Sequence, residues 1–157
     1  MASVWRMMIF WTTQFVLNAN ALHWPLAIGF YQPRMRDFRK YEIWQKGVEL
    51  ADRIYDICDK FPKFEMYALA DQLRRASVSI ASNIAEGASR KSALEFAHYL
   101  EIAIGSCFEV ETQLQIAQRR KYVTDEAYNE VVKELQSEER QINTFISKLR
   151  WWKISNQ

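Results

Sequence analysis

The sequence predicts an all-α protein, an antiparallel up-and-down four-helix bundle, on three observations. Only four glycines and three prolines occur in 157 residues, which leaves little material for long loops. Apolar residues recur at spacings of three and four over long stretches, a pattern typical of helices with one buried face. Short connections separate these stretches, so neighbouring helices are expected to run antiparallel. The 49% hydrophobic content is enough for the core of one domain.

The first two helices are predicted at residues 39 to 60 and 65 to 86. Two adjacent apolar rows follow the first helix at helical spacing. They are Trp44, Val48, Ala51, Tyr55 and Cys58, and beside them Ile43, Gly47, Leu50, Ile54 and Ile57. Pro62 ends this helix. Gly87 is expected to end the second helix, as the left-handed residue that often follows a helix C-terminus.

The third and fourth helices begin with recognisable capping residues. Ser92 and Glu95 have the spacing of a capping box. Thr124 precedes two acidic residues, which suit the positive end of a helix dipole. The core row of the third helix is Phe96, Leu100, Ala103, Cys107, Val110, Leu114 and Ala117. In the fourth helix it is Tyr128, Val131, Leu135, Ile142, Phe145 and Leu149, with Glu138 as the one polar exception.

Residues 1 to 34 differ from residues 35 to 157, which form the predicted bundle. A signal peptide would use Arg6, the apolar run from 7 to 17 and small residues near position 20, but polar residues break that run. A membrane anchor needs about 20 mainly apolar residues, and polar side chains interrupt every such window. We favour a third interpretation, a poorly ordered or untranslated upstream extension. In it Met35 is the true start, because MRDFRKYEIW is a polar lead into a helix.

The second helix carries an uncharged segment from Ala76 to Ala85. Its core stripe is Leu73, Ala76, Ile80 and Ile84, and a polar row runs beside it. The remaining side lacks the Lys and Glu of a solvated face. A helix that is small or apolar nearly all round is usually covered nearly all round, so we predict a subunit interface. The polar row would then satisfy its hydrogen bonds inside the subunit or across the boundary. The interface candidates are Gln72, Arg75, Ser79, Ala81, Ser82, Asn83, Ala85 and Glu86.

The same region carries a resemblance. The segment YALADQLRRASVSIASNIAEGASRKSALEFAHYLEIAIGSCFEVETQL, residues 67 to 114, resembles the four-helix-bundle proteins encoded by intervening sequences in bacterial 23S ribosomal RNA genes. Similar bundles serve as accessory variability proteins of diversity-generating retroelements. Residues 38 to 150 fit the family, and residues 1 to 34 have no counterpart. The resemblance implies a cytoplasmic homopentamer arranged as a ring, with no established enzymatic activity. We therefore expect a scaffold or interaction protein, without a cofactor or membrane association.

The charge distribution bears on an alternative function, an RNA-binding accessory protein. Residues 1 to 34 hold two of the 21 basic residues and none of the 19 acidic ones, so the main body is neutral. A neutral body disfavours generic polyanion binding, which the retroelement relatives achieve through a strongly basic surface. Clusters repeated around a ring could still form a basic rim. We expect the first cluster and the third to lie at one end of the bundle and the second at the other. The clusters are Arg36, Arg39 and Lys40; Arg90 and Lys91; and Arg119, Arg120 and Lys121.

Catalytic or metal-binding chemistry is the distant alternative. Glu95 and His98 have the Glu-x-x-His spacing of di-iron bundles, but such a site needs a second pair, and the other histidine lies in the leader. Ser79 has no histidine in its helix to act as a base, so a hydrogen-bonding role is the better interpretation. Cys58 and Cys107 occupy core positions, which fits free thiols in a reducing cytosol and leaves a disulfide open.

Overall fold

The computed structural model describes residues 36 to 155, apart from the side chains of residues 152 and 153. The predicted leader or upstream extension and the proposed start at Met35 lie outside the described residues. The described residues form four α-helices and two short 3-10 helices without any strand, which confirms the all-α four-helix bundle. The α-helices are α1 (Glu42–Cys58), α2 (Leu69–Ser89), α3 (Ala93–Arg119) and α4 (Asp125–Ser155). The 3-10 helices are Phe38–Lys40 and Lys63–Glu65.

The helices pack in the order of the chain, so that α2 contacts α1 and α3, while α4 contacts α3 and α1. Aromatic clusters mark the two ends. At one end, which we call the Phe96 end, the Tyr41 ring lies 5.8 Å from Phe96 and 5.1 Å from Phe145 between ring centroids. At the other, the Tyr122 end, Phe61 lies 5.7 Å from Tyr122. The start of α1 therefore shares an end with the start of α3 and the last turns of α4.

The predicted core rows of α2 and α3 are confirmed, because every residue in both rows is at most 3% exposed. In α1, the structure decides between the two apolar rows. The row with Gly47 faces the interior, whereas Val48 and Tyr55 are 42% and 43% exposed. Gly47 permits this orientation because α2 approaches closely there: a Cβ on Gly47 would lie 3.4 Å from the Cβ of Ala81.

The prediction that Gly87 ends α2 is wrong. The helix continues to Ser89, and none of the described glycines has a positive φ. Gly87 is instead required by close packing between α2 and α3, since a Cβ there would lie 2.7 Å from both Phe96 Cδ2 and Tyr99 Cβ. The start of α2 is also later than predicted, because residues 63 to 65 form a separate 3-10 turn after Pro62.

The capping residues predicted for α3 and α4 are confirmed by their hydrogen bonds. In the capping box of α3, the Glu95 backbone amide donates to Ser92 Oγ at 3.0 Å, and the Ser92 amide donates to Glu95 Oε2 at 3.2 Å. These bonds lower the pKa of Glu95. At the start of α4, the Ala127 amide donates to Thr124 Oγ1 at 3.3 Å.

Candidate interaction surfaces

The polar row of α2 finds its partners inside the subunit. The Asn83 side-chain amide donates to the Ser79 carbonyl at 2.8 Å and to Ser79 Oγ at 3.0 Å. Ser106 of α3, a buried residue, lies with its hydroxyl 3.0 Å from the same Oγ. Sequence reasoning left open whether these bonds lie inside the subunit or across a boundary, and it did not identify Ser106. The network joins α2 to α3, so Ser79 and Asn83 stabilise the bundle itself.

The placement of Ala81 on an outer face needs correction. Ala81 is 8% exposed and packs against Gly47 of α1, so its side chain lies within the subunit. The error arose because the outer face and the face toward α1 are both rich in small residues, and a single helix does not show which one its neighbour covers.

The remaining interface candidates do lie on the outer side of α2. The exposed ones are Gln72, Arg75, Ser82 and Glu86, with Ala85 half-buried. Val78, between them, is 42% exposed. Arg75 pairs with Asp71 at 2.5 Å, and Glu86 pairs with Arg90. This face therefore combines small and apolar side chains with charges that are already paired.

Four large apolar side chains are exposed on the outward side of α3, and sequence reasoning missed them. Leu94, Ile102, Phe108 and Ile116 are 45%, 40%, 55% and 46% exposed. We call these four residues the α3 stripe. Gly105 lies among them with no atom within 4 Å of the position its Cβ would take. The signal was present in the sequence, because α3 has large apolar residues on both sides, which is the argument we applied to α2 alone.

A second apolar surface lies on the outward sides of α1 and α2. Val48, Tyr55 and Val78 are each 42 to 43% exposed, and we call them the α1–α2 surface. The Arg74 guanidinium lies over the Tyr55 ring, 5.4 Å from its centroid, which connects the two helices. Arg74 also pairs with Asp59 at 2.8 Å.

The basic clusters are distributed differently from our expectation. Arg36 Nη1 donates to the Arg90 carbonyl at 2.5 Å, and its guanidinium lies 5.4 Å from the centroid of Phe96. The cluster that contains Arg36, Arg39 and Lys40 therefore lies at the Phe96 end together with Arg90 and Lys91. Our placement of these clusters at opposite ends was wrong, because the first helix of an up-and-down bundle starts at the end where the second helix finishes.

Several of these cations already have partners. Arg90 pairs with Glu86 and donates to the Tyr99 hydroxyl, and Lys40 lies 3.6 Å from Asp37. The hydrogen bond between Tyr99 and Glu86 is the largest cause of a raised pKa at Tyr99.

The cluster of residues 119 to 121 lies alone at the Tyr122 end and has a structural role. Lys121 adopts a φ of 61°, and the Tyr122 amide donates to the Ala117 carbonyl at 2.9 Å. This is the hydrogen-bond pattern that closes a helix C-terminus. Arg120 Nε donates to the Tyr122 hydroxyl at 3.4 Å.

The residues considered for catalysis are not assembled into a site. His98 is exposed, and its nearest acidic partner, Glu101, lies 3.8 Å away. Among residues 36 to 155, no group of three His, Cys, Asp or Glu side chains is arranged to hold a metal ion. Cys58 and Cys107 are buried free thiols rather than a disulfide. Burial raises their pKa values to about 11 and about 12.

One further polar group stands out between α1 and α4. Glu138, the polar exception in the core row of α4, is 2% exposed, and neither of its carboxyl oxygens has a hydrogen-bond partner. It lines a cavity of about 360 Å³ together with Lys46, Leu50 and Arg53 of α1. Burial raises the pKa of Glu138 to about 8, with a smaller opposing effect from Lys46.

The fold places the chain in the class of antiparallel four-helix bundles. The family model of the 23S rRNA-intervening sequence protein matches residues 39–144, and the chain belongs to that family. A solved protein of unknown function from the S23 ribosomal protein family of Bacteroides thetaiotaomicron has a similar structure, with a TM-score of 0.62 and 25% sequence identity. The match covers 66% of this chain and 97% of that one. No curated protein matches the sequence. Of the helices in the described part of the chain, none is both long enough and apolar enough to cross a lipid bilayer.

Proposed function

We propose that this protein is a self-assembling, non-enzymatic interaction protein whose subunits join through the α3 stripe and the α1–α2 surface. The observation that carries the proposal is the α3 stripe, in which four large apolar side chains are each 40 to 55% exposed on one helix. Exposed apolar patches of this kind mark interaction sites. A second copy of the chain is the proposed occupant, because each subunit also presents the α1–α2 surface.

The positions of the two surfaces are compatible with a ring. Helices α1 and α3 each contact α2 and α4, but α1 does not contact α3. The α3 stripe and the α1–α2 surface therefore lie at different corners of the bundle. A contact between two different patches is heterologous, and it generates a closed ring when the rotation between subunits closes. The proposal of five subunits rests on the resemblance to the family.

Light scattering of the full-length chain tests this assembly. Phe108→Glu places a carboxylate within the α3 stripe, where burial against a partner would cost several kcal/mol, on the order of 3. Asn143→Glu introduces the same side chain at an exposed position of α4 and serves as the control. We expect an oligomer for the wild type and the control, and a smaller species with unchanged circular dichroism for Phe108→Glu. A monomeric wild type, or a Phe108→Glu oligomer of undiminished mass, contradicts the proposal.

The non-enzymatic part of the proposal is supported by the surroundings of the polar groups. The Ser79 hydroxyl contacts Asn83 and Ser106, and neither of these can act as a general base. His98, the one histidine among the described residues, is exposed and is not among the hydrogen-bond partners of Ser79.

A second candidate function is RNA binding at the Phe96 end. It is favoured by the contact between Arg36 and Arg90, which brings two basic clusters together. Repetition around a ring would multiply this charge, although each subunit is nearly neutral. No enzymatic step is needed for such a role, and it is compatible with the proposed assembly.

Fluorescence anisotropy with a labelled RNA hairpin tests the second candidate at low and moderate salt. The double variant Arg39→Glu, Lys91→Glu changes the Phe96 end, and Arg119→Glu, Arg120→Glu makes the same charge change at the Tyr122 end. We expect the first variant to weaken binding about tenfold or more and the second to retain it, with binding lost as salt rises. Absence of binding, or equal losses in both variants, contradicts this role.

A further inference from the structure

The cavity between α1 and α4 contains a carboxyl group for which the subunit provides no partner. Glu138 is 2% exposed, lines the cavity, and has two carboxyl oxygens without a hydrogen bond. Burying a carboxylate in this way is costly, and unsatisfied buried polar groups are rare enough to need an explanation. At about 360 Å³, the cavity has the size of a small-molecule site.

The neighbouring cations make no hydrogen bond to this carboxyl group, because other carboxylates engage them. Lys46 Nζ lies 2.7 Å from Glu42 Oε1. Arg53 bridges two residues of α4, with 2.5 Å to Glu130 Oε2 and a second ion pair to Glu134. Three acidic side chains line the cavity, those of Glu49, Glu134 and Glu138, against two basic ones, those of Lys46 and Arg53. The cavity favours a ligand that brings positive charge.

The walls of the cavity indicate the shape of that ligand. The methylene stems of Lys46 and Arg53 provide apolar surface along the α1 side, above the nearly buried Leu50. Glu49 lines the same cavity from an exposed position, which places a second carboxylate at its mouth. An apolar wall between an inner and an outer carboxylate suits a flexible aliphatic chain with a cation at each end.

We propose that this cavity binds a linear aliphatic diamine, with one ammonium group on the Glu138 carboxylate and the other at Glu49. Neither carboxyl oxygen is accessible to solvent, so binding requires the Glu138 side chain to turn toward the cavity. The inner ammonium then supplies the hydrogen-bond donors that these oxygens lack. The methylene chain packs along Leu50. The site lies within one subunit, so it does not depend on the proposed assembly.

Binding of an ammonium group requires the ionised carboxylate. Glu42 and Lys46 of α1 influence the Glu138 carboxyl group, and Glu138 in turn influences the Cys107 thiol of α3. Glu49 and Arg53 of α1 and Glu134 of α4 line the same cavity. Burial has the largest effect and holds the pKa of Glu138 at about 8, so diamine binding near neutral pH displaces a proton. Below that pKa, the apparent affinity should therefore increase by up to about tenfold for each unit by which the pH is raised.

Isothermal titration calorimetry of the full-length protein tests the site, with cadaverine as the probe and the pentanediol of the same chain length as its neutral counterpart. We expect saturable cadaverine binding, at least about tenfold weaker binding of the diol, and proton release near neutral pH. Glu138→Gln should weaken cadaverine binding about tenfold or more. Glu126→Gln, which removes an exposed carboxylate from the first turn of α4, should bind as the wild type does.

Thermal unfolding of both variants shows whether they are folded. If Glu138→Gln is folded and does not bind the diamine, the loss of binding is due to the missing carboxylate and not to unfolding. Three outcomes overturn the proposal: no saturable binding of cadaverine to the wild type, equal binding of the diol, or unchanged binding to folded Glu138→Gln.

Discussion

The free energy of unfolding should respond to pH through Glu138, and Glu138→Gln should remove that response. The wild-type carboxyl group is 2% exposed, and burial raises its pKa from 4.5 to about 8. Because the folded-state pKa lies above the unfolded one, folding favours the protonated form. The contribution of this group to stability is therefore fully present below about pH 4.5 and is lost as the pH rises through about 8.

The expected magnitude follows from this window. Each pH unit between the two pKa values changes the free energy of unfolding by about 1.4 kcal/mol. From about pH 5 to about pH 7, the wild type should lose about 3 kcal/mol relative to Glu138→Gln. The amide has a similar shape and does not ionise, so the variant lacks this slope. Subtracting one curve from the other cancels every titrating group that the two proteins share.

Urea unfolding followed by circular dichroism at several pH values measures this difference. The protein concentration is held fixed, since assembly makes stability depend on concentration. Glu126→Gln is the control, because it makes the same chemical change at an exposed position of α4, and its curve should differ from that of the wild type by no more than about 1 kcal/mol. If the difference in the free energy of unfolding between the wild type and Glu138→Gln stays constant with pH, the inference that Glu138 is a buried carboxyl group without a partner is refuted.

Three further predictions concern packing, thiol reactivity and capping. Gly87→Ala should lower the free energy of unfolding by about 1 to 2 kcal/mol, because its Cβ would meet α3 atoms at 2.7 Å. In Gly105→Ala the new Cβ meets no atom of the subunit within 4 Å, so the free energy of unfolding should rise by up to about 1 kcal/mol. Urea unfolding that shifts the stability of Gly87→Ala and Gly105→Ala in the same direction contradicts this pair of predictions. Cys58 and Cys107, with pKa values of about 11 and about 12, should react with a thiol reagent at neutral pH only on unfolding, so rapid labelling of the folded protein argues against their burial. Ser92→Ala should cost about 1 kcal/mol by removing the capping box, whereas an unchanged urea midpoint contradicts that role.

The features that sequence reasoning recovered are those that a single helix determines by itself. Apolar periodicity predicted the buried rows of α2 and α3, and residue types at the helix start predicted the capping box at Ser92. Features that depend on a neighbour were not recovered. A glycine such as Gly87 can end a helix or allow a neighbouring helix to pack closely, and Ala81 can face solvent or α1. The choice depends on the distance between helices, which the pattern along one helix does not contain.

The arrangement of the basic clusters could have been derived correctly. Successive antiparallel helices alternate in direction, so the start of α1 and the end of α2 must share an end of the bundle. The contact between Arg36 and Arg90 follows from this parity. The α3 stripe was overlooked for another reason. Its members are separated by eight, six and eight residues, a spacing less regular than that of the core row, which drew attention to the buried side alone.

Glu138 is a polar residue at a core position of α4, both in the sequence pattern and in the structure. The apolar periodicity of α4 identified it as the one residue that departs from the core pattern, and the structure shows that burial follows the pattern even at this residue. A buried residue that violates the local rule without an internal partner destabilises the subunit at neutral pH. Such violations are typical of functional positions, where a bound group offsets the cost. If a diamine supplies that group, its binding should raise the stability of the wild type at neutral pH and leave Glu138→Gln unchanged, which joins the cavity and the pH response in a single mechanism.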